Sequence, residues 1–164
     1  NQLAGLSAGG DFGFNLNDNF PAPSSSGWYK IIVDFQTGKF KVTPYTSTLP
    51  NNLYMVGGAT PGGWNNPVPV PSQQFTRLNA SQWELTIALT AGEKYLLLPN
   101  NGSWDNKYGV PDNSVTGLGN GGEIKYNDNA QDIPAPSVTG NYKVLVNFAT
   151  TENFATGKFS AVRL

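Results

Sequence analysis

Residues 3–42 and 115–161 of this 164-residue chain are two versions of one segment. Gly5-Leu6 followed by Gly9-Gly10-Asp11 returns as Gly117-Leu118 followed by Gly121-Gly122-Glu123, an offset of 112. Pro21-Ala22-Pro23 returns as Pro134-Ala135-Pro136, and Gly27-Trp28-Tyr29-Lys30 through Val33-Asp34-Phe35 returns as Gly140-Asn141-Tyr142-Lys143 through Val146-Asn147-Phe148, an offset of 113. Gly38-Lys39-Phe40 then matches Gly157-Lys158-Phe159 after a six-residue insertion. A period this long exceeds any solenoid repeat and suits tandem β-sandwich domains. The division it implies makes residues 1–46 the C-terminal part of one module, 47–50 a linker and 51–164 a complete second module. The linker is short and ends in Pro50, so restricted rotation is expected. A three-stranded fragment of this size rarely holds a core alone, so residues 1–46 are expected to pack on the complete module or on a neighbouring chain. The opening residues read as internal to a longer protein, and the repeat implies that the first half of the upstream module is missing.

Inside the repeat the apolar residues alternate. Tyr29, Ile31, Val33 and Phe35 share one face of an extended segment, with Lys30 and Asp34 on the other. Tyr142, Val144, Val146 and Phe148 do the same downstream, and so do Trp83, Leu85, Ile87 and Leu89. This is the signature of half-buried strands. Further strands are expected at Lys39–Thr43, Leu53–Gly57, Glu93–Leu98, Glu123–Tyr126 and Lys158–Arg163. Gly, Pro, Asn and Asp clusters punctuate the gaps, and no twelve-residue window carries a helical apolar stripe. The expected fold is all-β, most simply a sandwich.

Several chemistries are closed to such a chain. It has no His and no Cys, which removes histidine bases, thiol nucleophiles, the usual zinc ligands and disulfides. Its charge of −1 provides no basic surface for nucleic acid or an anionic membrane. No apolar run is long enough to span a bilayer, and the first ten residues do not form a signal peptide.

Two stretches carry the functional candidates. Tyr54-Met55-Val56-Gly57-Gly58-Ala59-Thr60-Pro61-Gly62-Gly63-Trp64-Asn65 runs a strand into a loop ending on an indole, and Gly92 through Trp104, followed by Tyr108-Gly109, repeats the design. Sugars present flat C–H faces rimmed by hydroxyls, so a glycan site needs exposed aromatic faces with amides beside them. The competing reading makes Trp64 and Trp104 plugs that close the ends of a sandwich.

The ordered set Val56–Asn65, Leu89–Glu93, Gly102–Asp105, Tyr108-Gly109, Gly117–Gly122 and Gly140–Val144 resembles the tandem starch-binding modules of the SusE/SusF type, outer-membrane surface lipoproteins of Bacteroidetes. The resemblance implies immunoglobulin-like β-sandwiches without catalytic activity. It further implies a lipid-anchored parent protein on the bacterial cell surface that holds α-glucan near a transport complex. By motif match Trp64 and Trp104 form the aromatic arc, with Asn100, Asn101 and Tyr108 alongside. The family often places a Lys one residue after the aromatic that follows Ala-Gly-Glu. Here Lys94 directly follows Glu93 and Tyr95 takes the usual Lys position, which sends the two side chains to opposite faces. Tyr95 is then a candidate donor in place of the lysine; the alternatives are another glycan or none.

Glycoside hydrolysis would need two placed carboxylates, and none of Asp105, Asp112, Glu123, Asp128 and Asp132 stands out from ordinary loop positions. Asn127-Asp128-Asn129 with Asp132 could offer oxygen ligands to Ca²⁺, but it lacks the spacing of an EF-hand, and a plain turn is the expectation. No cofactor is implied. A structural spacer or adhesive module would need the same core and turns as a glycan binder, and exposure of the aromatic rings separates the two. Trp28 is expected to face solvent or a neighbouring module.

Overall fold

The computed structural model describes residues 6–14, 19–27, 29–45, 49–127, 129–148 and 156–164. Trp28, Asp128 and the first half of the linker therefore lie outside the described residues. The chain divides into two compact units, Asn1–Ser47 and Thr48–Leu164.

The first unit is a three-stranded antiparallel sheet of β1 (Gly9–Asp11), β2 (Tyr29–Asp34) and β3 (Lys39–Pro44), in the order β1-β3-β2. A hairpin joins β2 to β3. Asp34 accepts hydrogen bonds from the Thr37 hydroxyl (2.7 Å) and from the backbone N–H groups of Thr37 and Gln36, which hold its carboxyl below the usual range.

The second unit is built from nine strands: β4 (Tyr54–Val56), β5 (Thr76–Arg77), β6 (Gln82–Leu89), β7 (Lys94–Leu98), β8 (Tyr108–Gly109), β9 (Gly121–Tyr126), β10 (Ile133–Pro134), β11 (Gly140–Asn147) and β12 (Thr156–Arg163). They pair along the path β10-β7-β8-β9-β12-β11-β6-β5, with β4 also on β7, and every pairing is antiparallel. The path closes on itself. Tyr95 of β7 meets Phe159 of β12 edge to face at 6.5 Å, and Tyr108 of β8 meets Phe148, after β11, at 5.2 Å. Inward residues of β6, β11 and β12 thus share one core with those of β4, β7 and β8. This is an all-β sandwich of the immunoglobulin-like kind, and the alternation along β6 and β11 points into its core as expected.

The repeated segments adopt the same structure. Gly9, Gly10 and Asp11 of β1 face Lys41, Phe40 and Lys39, and their counterparts Gly121, Gly122 and Glu123 face Ser160, Phe159 and Lys158. The register of β2 on β3 likewise reproduces that of β11 on β12, from Tyr29 opposite Pro44 (Tyr142 opposite Arg163) to Asp34 opposite Lys39 (Asn147 opposite Lys158). Gly9 (φ 138°) and Gly121 (φ 146°) approach the partner strand so closely that a Cβ would meet the carbonyl of Phe40 or Phe159. Glycine is required there in both copies. Both copies also carry a tyrosine corner: the Tyr29 hydroxyl donates to the Ser25 carbonyl (2.9 Å) and the Tyr142 hydroxyl to that of Val138 (2.6 Å).

Strand β7 is covered on both faces. Tyr95 and Leu97 enter the main core, whereas Leu96 and Leu98 form a second cluster with Val56, Val68 and Tyr54. Val68 lies in the Gly/Pro-rich excursion between β4 and β5, which therefore covers the outer face of β7.

Burial also sets an alkaline limit. It pushes the hydroxyls of Tyr95 and Tyr108 well above their ordinary value of 10, with Tyr126 adding to the effect at Tyr108. Unfolded, both ionise near 10; folded, they stay neutral. Stability is therefore full below pH 10 and falls above it, by about 1.4 kcal/mol per tyrosine per pH unit. Absorbance at 295 nm during alkaline titration should show these two among the seven tyrosines ionising only as the unit unfolds.

Candidate functional site

The Gly57–Asn65 loop is held rigid by its own backbone. Gly57 N–H donates to the Gly63 carbonyl (2.9 Å), Gly63 N–H to that of Thr60 (3.0 Å), and the Thr60 hydroxyl to that of Gly57 (2.9 Å). Gly63, at φ 60°, makes the left-handed turn that aims Trp64 outward. The buried Gln73 fastens this loop to the sheet. Its Oε1 accepts from Gly62 N–H (2.7 Å), and its Nε2 donates to the Met55 carbonyl (2.6 Å).

Trp104 arrives from the loop after β7, and an amide clamp ties the two loops together. Asn101 Oδ1 accepts from Val68 N–H (2.7 Å) while its Nδ2 donates to the Val68 carbonyl (3.2 Å). In return, Asn66 Oδ1 accepts from Gly102 N–H (2.7 Å). The result is an indole pair. Trp64 and Trp104 are 44% and 47% exposed, their rings are 6.5 Å apart, and their planes are tilted by 37°.

The other expected site residues divide. Asn101 is a clamp that positions the loops, since both ends of its amide are engaged by the Val68 backbone. Lys94 is exposed at the start of β7, and its carbonyl accepts from Ala59 N–H (3.1 Å). Tyr95 does not replace a cationic donor. It is 0% exposed because alternation along β7 puts it on the Leu97 side, within the core, and its hydroxyl has no partner among the described residues. Tyr108 is also buried, between Tyr126 (5.1 Å) and Phe148 (5.2 Å), so its ring offers no face for stacking. Asn100 and Tyr108 instead line a separate open cleft of about 400 Å³ with Asn51, Asn52 and Tyr126.

Glu93 joins the indole pair without having been expected there. A Cβ placed on Gly58 would meet the Glu93 carboxylate and, 3.4 Å away, Trp64 Nε1, so both polar groups flank one small space. Its place directly before Lys94, at the end of the Ala-Gly-Glu motif, was the available signal.

Two of the loop carboxylates, Asp105 and Asp112, have structural partners. Asp112 accepts from Ser114 N–H (2.9 Å) and the Ser114 hydroxyl (2.7 Å), which hold its carboxyl below the usual carboxylate range, and Asp105 accepts from the Ser103 hydroxyl (3.0 Å). Asn127 holds the Lys107 N–H through its Oδ1 (2.9 Å) and donates to Asn106 (3.1 Å), the work of a turn residue. Among the described residues no three His, Cys, Asp or Glu side chains gather as a metal site.

The absent partner of Tyr95 gives a direct prediction. Tyr95→Phe removes an unsatisfied buried hydroxyl and is expected to raise stability by about 1 kcal/mol in urea unfolding, where a lost hydrogen bond would lower it. No protein-family model matches the chain, and no curated protein matches it either.

Proposed function

We propose that the complete module binds polysaccharide without catalysis, by stacking sugar rings on Trp64 and Trp104. The observation that carries this reading is the exposed, adjacent indole pair, drawn from two loops and held in place by the Asn101 and Asn66 clamp. Exposed tryptophan is costly to hydrate, and two together on rigid loops are a surface prepared for a ligand with flat apolar faces. Glu93 stands beside Trp64 to accept hydroxyls. A tilt of 37° suits a chain whose successive rings turn, as in α-glucans, more than the flat ribbon of cellulose. Starch-type glucan is accordingly the favoured ligand, in keeping with the resemblance noted above. On this reading the parent protein is lipid-anchored at the bacterial outer surface and holds glycan near a transport complex.

The test is fluorescence titration and calorimetry with maltoheptaose, β-cyclodextrin, and cello- and xylo-oligosaccharides. The expected result is selective α-glucan binding that Trp64→Ala or Trp104→Ala weakens by about 1–2 kcal/mol, roughly 5- to 30-fold, with the fold unchanged by circular dichroism. Tyr95→Phe should bind as the parent does. If the folded protein binds none of these glycans, or if both alanine variants bind normally, the proposal fails and the spacer reading takes its place.

A further inference from the structure

The cleft that takes Asn100 and Tyr108 lies where β4 begins and β7 ends. Tyr54 pairs with Leu98, so the residues that lead into β4, Asn51 and Asn52, run beside those that leave β7, Pro99 and Asn100. Across β7, Leu97 faces Tyr108 of β8, and Tyr108 in turn faces Tyr126 of β9, which brings two tyrosines to the same end of the sheet. Together these residues enclose a space of about 400 Å³. The exit from β7 divides its two amides: Asn101 holds the Val68 backbone in the clamp of the indole loops, whereas Asn100 lines the cleft.

The Tyr108 hydroxyl sets this cleft apart. Its ring is fixed between Tyr126 and Phe148, the residue is 1% exposed, and the hydroxyl has no hydrogen-bond partner among the described residues. A buried hydroxyl is ordinarily bonded, because burial without a partner forfeits the bonds it makes to water. Tyr95 shares that lack, but its hydroxyl is sealed within the core, whereas Tyr108 borders a space that a molecule can enter. Burial and the neighbouring Tyr126 also keep the Tyr108 hydroxyl protonated far above neutral pH, so it can both donate and accept. Asn51 and Asn100 are exposed and bond to nothing among the described residues, and Asn52 takes a long bond from Gln74 Nε2 (3.4 Å). Three amides with open hydrogen-bonding capacity thus stand around a hydroxyl in the same state.

We propose that this cleft is a second carbohydrate site, which takes one neutral sugar ring or a disaccharide by hydrogen bonding rather than by stacking. The ligand is neutral because no residue lining the cleft carries a charge, so a phosphate, carboxylate or amine would lose its water and gain no counter-charge. It is rich in hydroxyls because an asparagine amide donates at one end and accepts at the other, as a tyrosine hydroxyl does at one atom, and neighbouring sugar hydroxyls need both. Pro50 and Pro99 offer apolar surface to the C–H groups of the ring. Small-molecule pockets span about 300–1,000 Å³, and this one lies near the lower end, with room for one or two rings rather than a chain. The inference stands whether or not the indole pair binds glycan, since it uses none of the same side chains.

The experiment follows the side-chain amide signals of Asn51, Asn52 and Asn100 by ¹⁵N NMR as glucose, maltose or cellobiose is added to the 164-residue protein. Glucuronate tests the effect of charge, and glycerol tests hydroxyls without a ring. Each titration is repeated on a variant carrying both Trp64→Ala and Trp104→Ala. At least one neutral sugar should shift the three amides saturably, at millimolar concentration, in both proteins, with glucuronate and glycerol weaker by about 5-fold or more. Tyr108→Phe and Asn100→Ala should each weaken that binding by about 5- to 10-fold. The urea midpoint of Tyr108→Phe should be no lower than the parent's, because the hydroxyl has no internal bond to lose; a clear fall would show that it has one and would remove the main support for the site. The inference is also overturned if none of the three sugars gives a saturable shift, if glycerol or glucuronate binds as well as they do, or if both cleft variants bind as the parent does. Loss of the shifts in a folded protein without the two indoles would overturn it too, leaving the indole pair as the single site.

Discussion

Phe148→Ala is expected to lower the stability of the second unit by about 3–5 kcal/mol, while Phe35→Ala, the same substitution at the matching position of the repeat, should cost less than about 1 kcal/mol. Phe148 is fully buried, edge to face with Trp83 at 5.4 Å (interplanar angle 88°) and against Tyr108 at 5.2 Å. Its removal leaves a cavity between β6 and β8, walled by two large rings that cannot collapse into it. Phe35 is 84% exposed and, among the described residues, meets the single ring of Phe12. Urea unfolding followed by Trp83 emission measures the first effect, and amide exchange in β2 measures the second. Equal costs would mean that the first sheet already lies within a closed core.

Gln73→Leu should be nearly as damaging, although it replaces a polar side chain with an apolar one inside the protein. Both ends of the Gln73 amide serve backbone groups, Gly62 N–H and the Met55 carbonyl, and leucine leaves each without its bond. At about 1–3 kcal/mol for each of the two stranded groups, the expected loss is about 2–6 kcal/mol. Gln73 joins β4 to the loop that carries Trp64, so the variant should also make Trp64 more accessible to acrylamide and weaken the proposed glycan binding. Gln73→Glu separates the two bonds. An ionised carboxylate can still accept from Gly62 but repels the Met55 carbonyl, while the protonated acid can donate to it. Burial raises the folded value of that carboxyl, so the variant's stability should be greatest in acid and fall as the pH rises through it. A loss that did not change with pH would point to packing alone.

Much of this molecule is legible from its sequence. The alternation of Trp83 through Leu89 and of Tyr142 through Phe148 states which side chains face the core, because a strand's side chains alternate by geometry whatever surrounds it. The repeat identifies two copies of one sheet, and the register of both follows it residue by residue. The strands β5, β8 and β10 did not announce themselves; each has two residues, too few to show a period.

The candidate site was legible in residue type but not in arrangement. Trp64 and Trp104 could be named, yet nothing in their spacing states that the two loops meet, since that depends on amide clamps from Asn101 and Asn66 and on the anchor at Gln73. Tyr95 shows the limit in the other direction. The one-residue shift correctly separates it from Lys94, but alternation does not say which face is covered, and at β7 both are. By itself, then, the sequence determined the longer strands, which of their residues share a face, and the duplication, because these depend on local geometry and on neighbours along the chain. Only the tertiary structure decided that two distant indoles share a surface, that two tyrosines are lost to the core, and that one copy of a repeated sheet is enclosed while the other is open. Exposure is a property of what packs against a face, and the partner of a face is set by contacts far away in the sequence.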